Sequence, residues 1–233
     1  MQFQEPKEVK NIFNTVSSQY DFLNDLLSFG VHKIWKKKLV TILNPLNGED
    51  WADLCCGTGD MAILISKNIN PNGSIIGVDN AINTLNIARN KSKYISEKVL
   101  SWREEDIFDL DEQIKRFDGI VMSYGLRNLS NVEDGIKKVF LLLKDKGRAG
   151  FLDFNHSKKG SPSHIFQKIY LRFIVVPISK FFNLKEEYQY IEESIKNFPE
   201  GKKLIDLAKK VGFKQVSYEK LFFGQMGILV VKK

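Results

Sequence analysis

The sequence predicts an α/β fold: a Rossmann-like, mostly parallel sheet of seven strands with helices on both faces and an antiparallel hairpin at its C-terminal end. Strand-like and helix-like segments alternate from Trp51 to Phe154, which implies parallel strands joined by right-handed crossovers. A glycine turn, Cys55-Cys56-Gly57-Thr58-Gly59, joins the first strand to the helix after it. The last two strand-like segments are separated only by Phe222-Phe223-Gly224, too short for a crossover, so they pair antiparallel.

Residues 1–44 read as an N-terminal helical cap, because Ile12, Phe13, Val16 and Tyr20 recur at helical spacing. A second segment from Asp21 stops at Gly30. His32 to Lys38 then opens a helix whose Trp35 and neighbouring lysines fit a solvated face. Strands are expected at 51–55, 74–79, 99–103, 117–123 and 147–154, and helices at 60–68, 81–93 and 132–144, the last stopped at Gly147. Residues 156–200 interrupt the alternation as a helical lid insertion, with a helix over Tyr188–Pro199. A helix at Lys202–Val211 and strands at Gln215–Leu221 and Gln225–Val231 complete one expected domain, 1–233.

The chain is 43 % hydrophobic and 27 % charged over 233 residues, with a formal charge of +7. That composition suits an ordinary domain with a full core. The basic balance fits nucleic acid, an anionic membrane surface or acidic ligands, and equally a lysine-rich composition with no partner behind it. The two cysteines are adjacent, which makes a poor structural disulfide and no metal-ligand spacing, so a reducing, cytoplasmic compartment is expected and no metal. No apolar run approaches the roughly 20 residues that span a bilayer, and the N-terminus has no secretory pattern.

The chemistry concentrates in Asp53-Leu-Cys-Cys-Gly-Thr-Gly-Asp60. Glycines at 57 and 59 let the backbone turn sharply and a ligand approach. Asp79 closes the second strand about 20 residues later, where an acid holds a ribose. Gly57-x-Gly59-x-x-Ala62 also satisfies the dinucleotide fingerprint. Carboxylates at Asp53 and Asp60 argue against that reading, because a pyrophosphate wants bare N–H groups at a helix start. Glu105-Asp106-Ile107, ending the third strand, suits an adenine: an acid for its amino group and an apolar side chain against its ring. Together these residues favour S-adenosylmethionine, whose sulfonium and ammonium are both positive. Asp53 and Asp60 as simple turn and helix caps are the alternative. Cys55, Asp79, Asp106 and Ser123 all fall at the carboxyl ends of expected strands, where ligands of such sheets lie.

The parallel sheet with its terminal hairpin resembles the class I methyltransferase architecture. Four segments are more specific: Phe13-Asn-Thr-Val-Ser-Ser-Gln-Tyr20-Asp21-Phe-Leu-Asn24-Asp25 running on to Trp35, the 53–60 turn, Ser123-Tyr-Gly125-Leu-Arg127-Asn128, and Tyr190-Ile-Glu-Glu-Ser194 running on to Pro199. Together they resemble the ubiquinone/menaquinone biosynthesis C-methyltransferase family over nearly the whole chain. The paired cysteines resemble its cyanobacterial and plastid branch, which methylates 2-phytyl-1,4-naphthoquinone. Cys55 stands where the general methyltransferase pattern has its first glycine, and Asp153-Phe-Asn-His156 replaces the more usual Glu-Phe-Ser-Lys.

The resemblance implies methyl transfer to a ring carbon of a reduced, lipid-tailed quinone. Demethylmenaquinone and polyprenyl-benzoquinol rings are alternative substrates. It implies that Gly57, Thr58 and Gly59 line the cofactor beside Asp53, that Asp79 takes the ribose, Asp106 and Ile107 the adenine, and that Ser123 lies near it. Arg127 is the leading catalytic candidate, since an always-charged guanidinium stabilises an aryloxide. A structural ion pair to Asp21 or Asp25 is its alternative. Asp21, Tyr20 through water, or His156 would serve as the base. Asn24, Tyr190 and Ser194 suit a second quinone oxygen or helix packing. The stretch 156–185 has six Lys or Arg, no acid and many large apolar residues. It suits peripheral contact with anionic lipid, or a lid packed on the core. Three rivals differ in class: an RNA methyltransferase, which would want a base-gripping Asn-Pro-Pro-Tyr type motif that is absent, a non-catalytic cofactor-binding subunit, and a nicotinamide oxidoreductase. Nucleic acid is not expected as a partner, and the oligomeric state is open.

Overall fold

The computed structural model describes residues 30–112, 117–155, 160–170 and 185–233, together with Lys10, Asn11, Asn14, Asp25, Ser28, Arg172, Phe173 and Pro177. Seven strands form one sheet: β1 (Asp50–Leu54), β2 (Ser74–Asp79), β3 (Leu100–Glu104), β4 (Phe117–Ser123), β5 (Leu143–Phe154), β6 (Gln215–Leu221) and β7 (Met226–Lys232). Their order is β3-β2-β1-β4-β5-β7-β6. β1 to β5 pair in parallel. β7 runs antiparallel to both β5 and β6, so the closing hairpin puts its second strand inside and its first at the edge.

The helices are α1 (Val31–Leu43), α2 (Asp60–Ile69), α3 (Ile82–Lys91), α4 (Val132–Leu142), α5 (Pro162–Tyr170), α6 (Lys185–Asn197) and α7 (Gly201–Val211). Asn131 starts α4 by accepting the Glu133 and Asp134 N–H groups, and the two acids of that first turn suit the positive end of the helix. The expected stop of this helix at Gly147 is corrected. α4 ends at Leu142 and passes straight into β5, whose pairing with β4 shifts between Phe117 and Gly119. Lys146 is left-handed there, at φ 64°, so the Lys-Asp-Lys-Gly signal marks a bulge within a strand.

Period-two alternation divides the core between the two sheet faces. Trp51, Val121, Leu152 and Ile228 pack with Leu39 and Leu43 of α1 and Ile65 and Ile69 of α2. Leu54, Ile120, Phe151 and Leu229 pack with Ile136 and Val139 of α4 and Leu204 and Ala208 of α7. Each fully buried aliphatic side chain contributes about 1.5–3 kcal/mol. Gly150 lets α1 settle on β5: a Cβ there would come within 2.6 Å of Leu39 and 2.8 Å of Leu43. The order of the parallel strands reverses between β1 and β4, which opens a crevice at their carboxyl ends.

Candidate active site

Cys55, Gly57 and Gly59, at the tip of β1, all have positive φ, at 54°, 53° and 83°. The left-handed region costs an L-residue about 1–2 kcal/mol, which explains why glycine is the favoured residue at position 55. The turn is tied down by three bonds. Cys56 N–H donates to the Val78 carbonyl at 3.0 Å and Gly59 N–H to the Cys56 carbonyl at 2.9 Å. Gly57 N–H donates to Asp79 Oδ2 at 2.8 Å.

The two glycines do different things. A Cβ on Gly57 would meet nothing within 4 Å among the described residues, so this face is open to a ligand. A Cβ on Gly59 would run into the Trp102 indole and Ala88. The expectation that Gly59 clears space for a ligand is therefore corrected. It clears space for Trp102, which also lies over Gly77 and donates to Ser92 Oγ at 3.0 Å. Thr58 is buried at the centre of the turn, with Lys91 Nζ 3.4 Å from its hydroxyl.

Four acids come close to this turn. The Cys55 thiol is pushed well above its ordinary range, first by burial and then by Asp79, Asp106, Asp53 and Asp153. Cys55, half-buried just past β1, thus lies near four acidic residues drawn from four strand ends. Asp79 Oδ1 also accepts the Ala81 N–H at 2.9 Å, and burial raises its pKa. Asp106 Oδ1 accepts the Phe108 N–H at 2.9 Å. Asp53 accepts the Ala62 N–H at 2.9 Å in the first turn of α2. Burial pushes its carboxyl up to about 8, and the described residues supply it with no ion pair. Burial of this kind favours the protonated acid, and a cation brought beside it would favour the carboxylate. Ser123 Oγ, at the end of β4, is buried without a hydrogen-bond partner among the described residues. Open space at Gly57, acids at three strand tips and an unsatisfied hydroxyl fit a ligand that is both cationic and polar. Ile107 is buried in the core with Leu54, Val78 and Leu126.

Asp60 departs from its expected role. Burial alone would raise its carboxyl, but Lys36 and Lys91 outweigh that and hold it down to about 2. Lys36 Nζ lies 2.9 Å from Asp60, and Lys91 pairs with its other oxygen. Its charge is spent within the protein and is not available to a cationic ligand. Lys36 is itself buried, so the reading of this part of α1 as a wholly solvated basic face is also corrected.

Beyond Ser123 the chain builds a second cluster. Arg127 Nη1 donates to Asp153 Oδ1 at 2.7 Å and to the Tyr124 carbonyl at 2.8 Å, and Arg127 N–H donates to Asp153 Oδ2 at 3.1 Å. Both side chains are 5 % exposed. The ion pair raised as the alternative to a catalytic role is thus present, with Asp153 as its acid; Asp25 pairs with Lys33 at 2.7 Å, and Asp21 lies outside the described residues. Tyr124 is left-handed, at φ 62°, and its carbonyl also accepts Asn128 Nδ2 at 2.9 Å. Tyr190 donates from its hydroxyl to Asn128 Oδ1 at 2.8 Å. The Phe154 and Tyr124 rings lie 5.0 and 5.8 Å from the Arg127 guanidinium carbon.

Asp53, Gly57, Thr58, Gly59, Asp79, Asp106, Ser123 and Arg127 therefore gather at one end of the sheet. Asp21, Tyr20, Asn24 and His156 lie outside the described residues. Trp102 and Tyr124 were not singled out from the sequence; Lys36 was read only as part of a basic helix face and Asp153 only as part of a departure from the family pattern. Asp153 carried a usable signal, since it sits at the tip of another parallel strand. No cluster of His, Cys, Asp and Glu among the described residues has a metal-holding arrangement.

The model of the ubiE/COQ5 methyltransferase family matches residues 1–233. The chain belongs to that family. A 2-phytyl-1,4-naphtoquinone methyltransferase of Nostoc punctiforme is 38 % identical over 227 residues, covering 97 % of this chain and 98 % of the relative. The chloroplastic 2-phytyl-1,4-beta-naphthoquinone methyltransferase of Arabidopsis thaliana is 34 % identical over 229 residues, covering 97 % and 87 %. Among solved structures, the magnesium protoporphyrin IX methyltransferase of Synechocystis aligns with a TM-score of 0.69 at 15 % identity, over 98 % of this chain and all of that one. A SAM-dependent methyltransferase of Aquifex aeolicus aligns at 0.59 and 14 %, over 84 % and 88 %. At these identities the structures speak to the fold alone. This ubiE/COQ5 member is an S-adenosylmethionine-dependent methyltransferase, as its turn and its acids led us to expect.

Proposed function

We propose that this chain methylates a ring carbon of a reduced, lipid-tailed naphthoquinone, with 2-phytyl-1,4-naphthoquinol as the substrate. The relatives' names support the ring and the tail. The buried Arg127–Asp153 pair, at the same end of the sheet as the acids around Cys55, supports the chemistry, and this pair carries the reading.

When bound, S-adenosylmethionine supplies an electrophilic methyl carried on a sulfonium. In this reading Asp53 faces its ammonium, Asp79 its ribose and Asp106 its adenine amino group. Gly57 leaves room for its body, and Ser123 Oγ turns toward it. A quinone carbon is electron-poor, so the nucleophile is the hydroquinone after it loses a phenolic proton. The aryloxide charge is shared with the neighbouring ring carbon. That carbon forms the new bond to the methyl, the old carbon–sulfur pair stays on sulfur, and the ring carbon then sheds its own proton to restore aromaticity. Arg127, held by Asp153 and the Tyr124 carbonyl, steadies the aryloxide. The burial around it keeps water away. Asp21, Tyr20 and His156 remain the candidates for receiving the phenolic proton, and 156–185 is a candidate to house the tail.

The test offers the purified protein labelled S-adenosylmethionine with either the dithionite-reduced phytyl naphthoquinol or the oxidised quinone. The reduced form is expected to be methylated at least about a hundredfold faster, the scale on which charge stabilisation acts. Equal rates would overturn the nucleophile.

A further inference from the structure

We propose that the β6–β7 turn and the start of α1 form a docking surface for an anionic lipid bilayer, beside the mouth of the active site. The purpose of this surface rests on the lipid-tailed substrate proposed above, but its geometry stands alone. Phe222 and Phe223 are both left-handed, at φ 47° and 53°. Bulky residues avoid that region. Strain of this kind persists where the strained shape is used. Here it holds two aromatic rings outward, 41 % and 77 % exposed. The Trp35 ring lies 5.6 Å from Phe222, and Phe222 lies 5.8 Å from Phe223. Ile34, next to Trp35, is 63 % exposed. Exposed Phe, Trp and Ile side chains form the apolar side of surfaces that lie in the lipid interface.

Charge selects the partner. Lys38, one helical turn past Trp35, pairs with Glu219 of β6, and Lys220 precedes Phe222 by two residues. The chain carries a formal charge of +7. Lysines close to an anionic headgroup layer are attracted to it. Apolar rings beside cationic side chains complement a negatively charged lipid surface.

Position ties the surface to the site. Phe154 at the end of β5 stands opposite Met226 at the start of β7. Asn155 donates from its backbone to the Gln225 carbonyl at 2.8 Å and from its side chain to the Gly224 carbonyl at 2.7 Å. The turn therefore lies on the same rim as Asp153. Lys36, the neighbour of Trp35, lies 5.8 Å over the Tyr124 ring, and the Tyr124 carbonyl holds Arg127. About one layer of side chains separates the docked surface from the catalytic pair, so a quinol ring can reach the site while its tail stays in the bilayer.

Vesicle co-sedimentation tests this with the full chain. Phosphatidylcholine vesicles are compared with equimolar phosphatidylcholine–phosphatidylglycerol vesicles at low and high salt. Wild type is expected on the anionic vesicles and to leave them at high salt. Phe223→Asn should weaken that binding at least about tenfold, or about 1.4 kcal/mol. Asparagine tolerates the left-handed region, and an unchanged urea midpoint for Phe223→Asn separates lost binding from lost fold. Turnover of phytyl quinol carried in vesicles should fall in step, while turnover of a tail-less reduced naphthoquinone is unchanged. Phe223→Trp should retain binding. The docking surface is overturned if Phe223→Asn binds like wild type, if wild type ignores anionic vesicles, or if binding disappears only on replacing Ile165, Ile169 and Phe173. If wild type fails on the tail-less ring, the proposed chemistry falls while the vesicle result keeps its meaning.

Discussion

Arg127 and Asp153 are joined twice, by guanidinium to carboxylate at 2.7 Å and by the Arg127 backbone N–H to the other carboxylate oxygen at 3.1 Å. The second bond fixes the Cα of Arg127 as well as its side chain. Replacing Arg127 with Ala should lower turnover at least about a hundredfold, with cofactor affinity changed less than about threefold. Lysine should not restore it, since one ammonium cannot reproduce the planar donor set. Asp153→Asn leaves a buried cation uncompensated and should cost about 3–5 kcal/mol in urea unfolding. A large loss of cofactor binding in Arg127→Ala would remove the residue from the chemical step.

Gly57 and Gly59 separate under substitution to alanine. Gly59→Ala suffers both its φ of 83° and the Trp102 indole, so a loss of at least about 3 kcal/mol is expected, as for overpacking added to backbone strain. Gly57→Ala meets open space and should cost only about 1–2 kcal/mol of stability. Its methyl group intrudes where the cofactor is proposed to lie, so affinity for S-adenosylmethionine should fall at least about tenfold, or about 1.4 kcal/mol. Denaturant curves and calorimetric titration read the two effects separately. The assignment of the Gly57 face is wrong if Gly57→Ala binds the cofactor as wild type does.

The sheet was legible because its signals are local. β2, β4 and β6 occupy the residues that alternation and turn residues assign to them. The acids at 53, 79 and 106 could be placed because strand tips are where parallel sheets gather ligands. Pairings across long sequence separations were not legible. Nothing local says that Trp102 fills the space beside Gly59, or that Lys36 and Lys91 neutralise Asp60. Arg127 also meets Asp153, 26 residues downstream on β5, which no local pattern announces. The left-handed Tyr124 was hidden for a different reason, since tyrosine has no intrinsic preference for that conformation.

Tyr190 reaches Asn128 from α6, and its phenol is pushed up to about 12, chiefly by burial and against the opposing pull of Arg127. It is therefore a proton donor to Asn128 at neutral pH. Asn128 in turn donates to the Tyr124 carbonyl that holds Arg127. Tyr190→Phe should cost about 1 kcal/mol of stability. Because it loosens the support of the Arg127 cluster and leaves the acids around Cys55 intact, it should lower kcat or raise KM for the quinol while cofactor affinity stays constant. Equal losses toward both substrates would mean that the bond serves packing only.

Asp53 gives the cofactor-free protein a pH dependence of definite sign. Its folded carboxyl lies near 8 against an ordinary 3.8. A raised pKa means that the folded state holds the proton more tightly. The resulting stabilisation is complete below about pH 4 and is lost as pH rises through about 8. A cofactor ammonium beside Asp53 reverses the preference and favours the charged carboxylate. Binding of S-adenosylmethionine at pH 7 should therefore release up to about one proton, and affinity should climb with pH toward 8. Titration calorimetry in two buffers of different ionisation enthalpy counts that proton. Asp53→Asn should abolish both the release and the climb. A wild-type protein that binds at pH 7 with no proton released would place the ammonium away from Asp53.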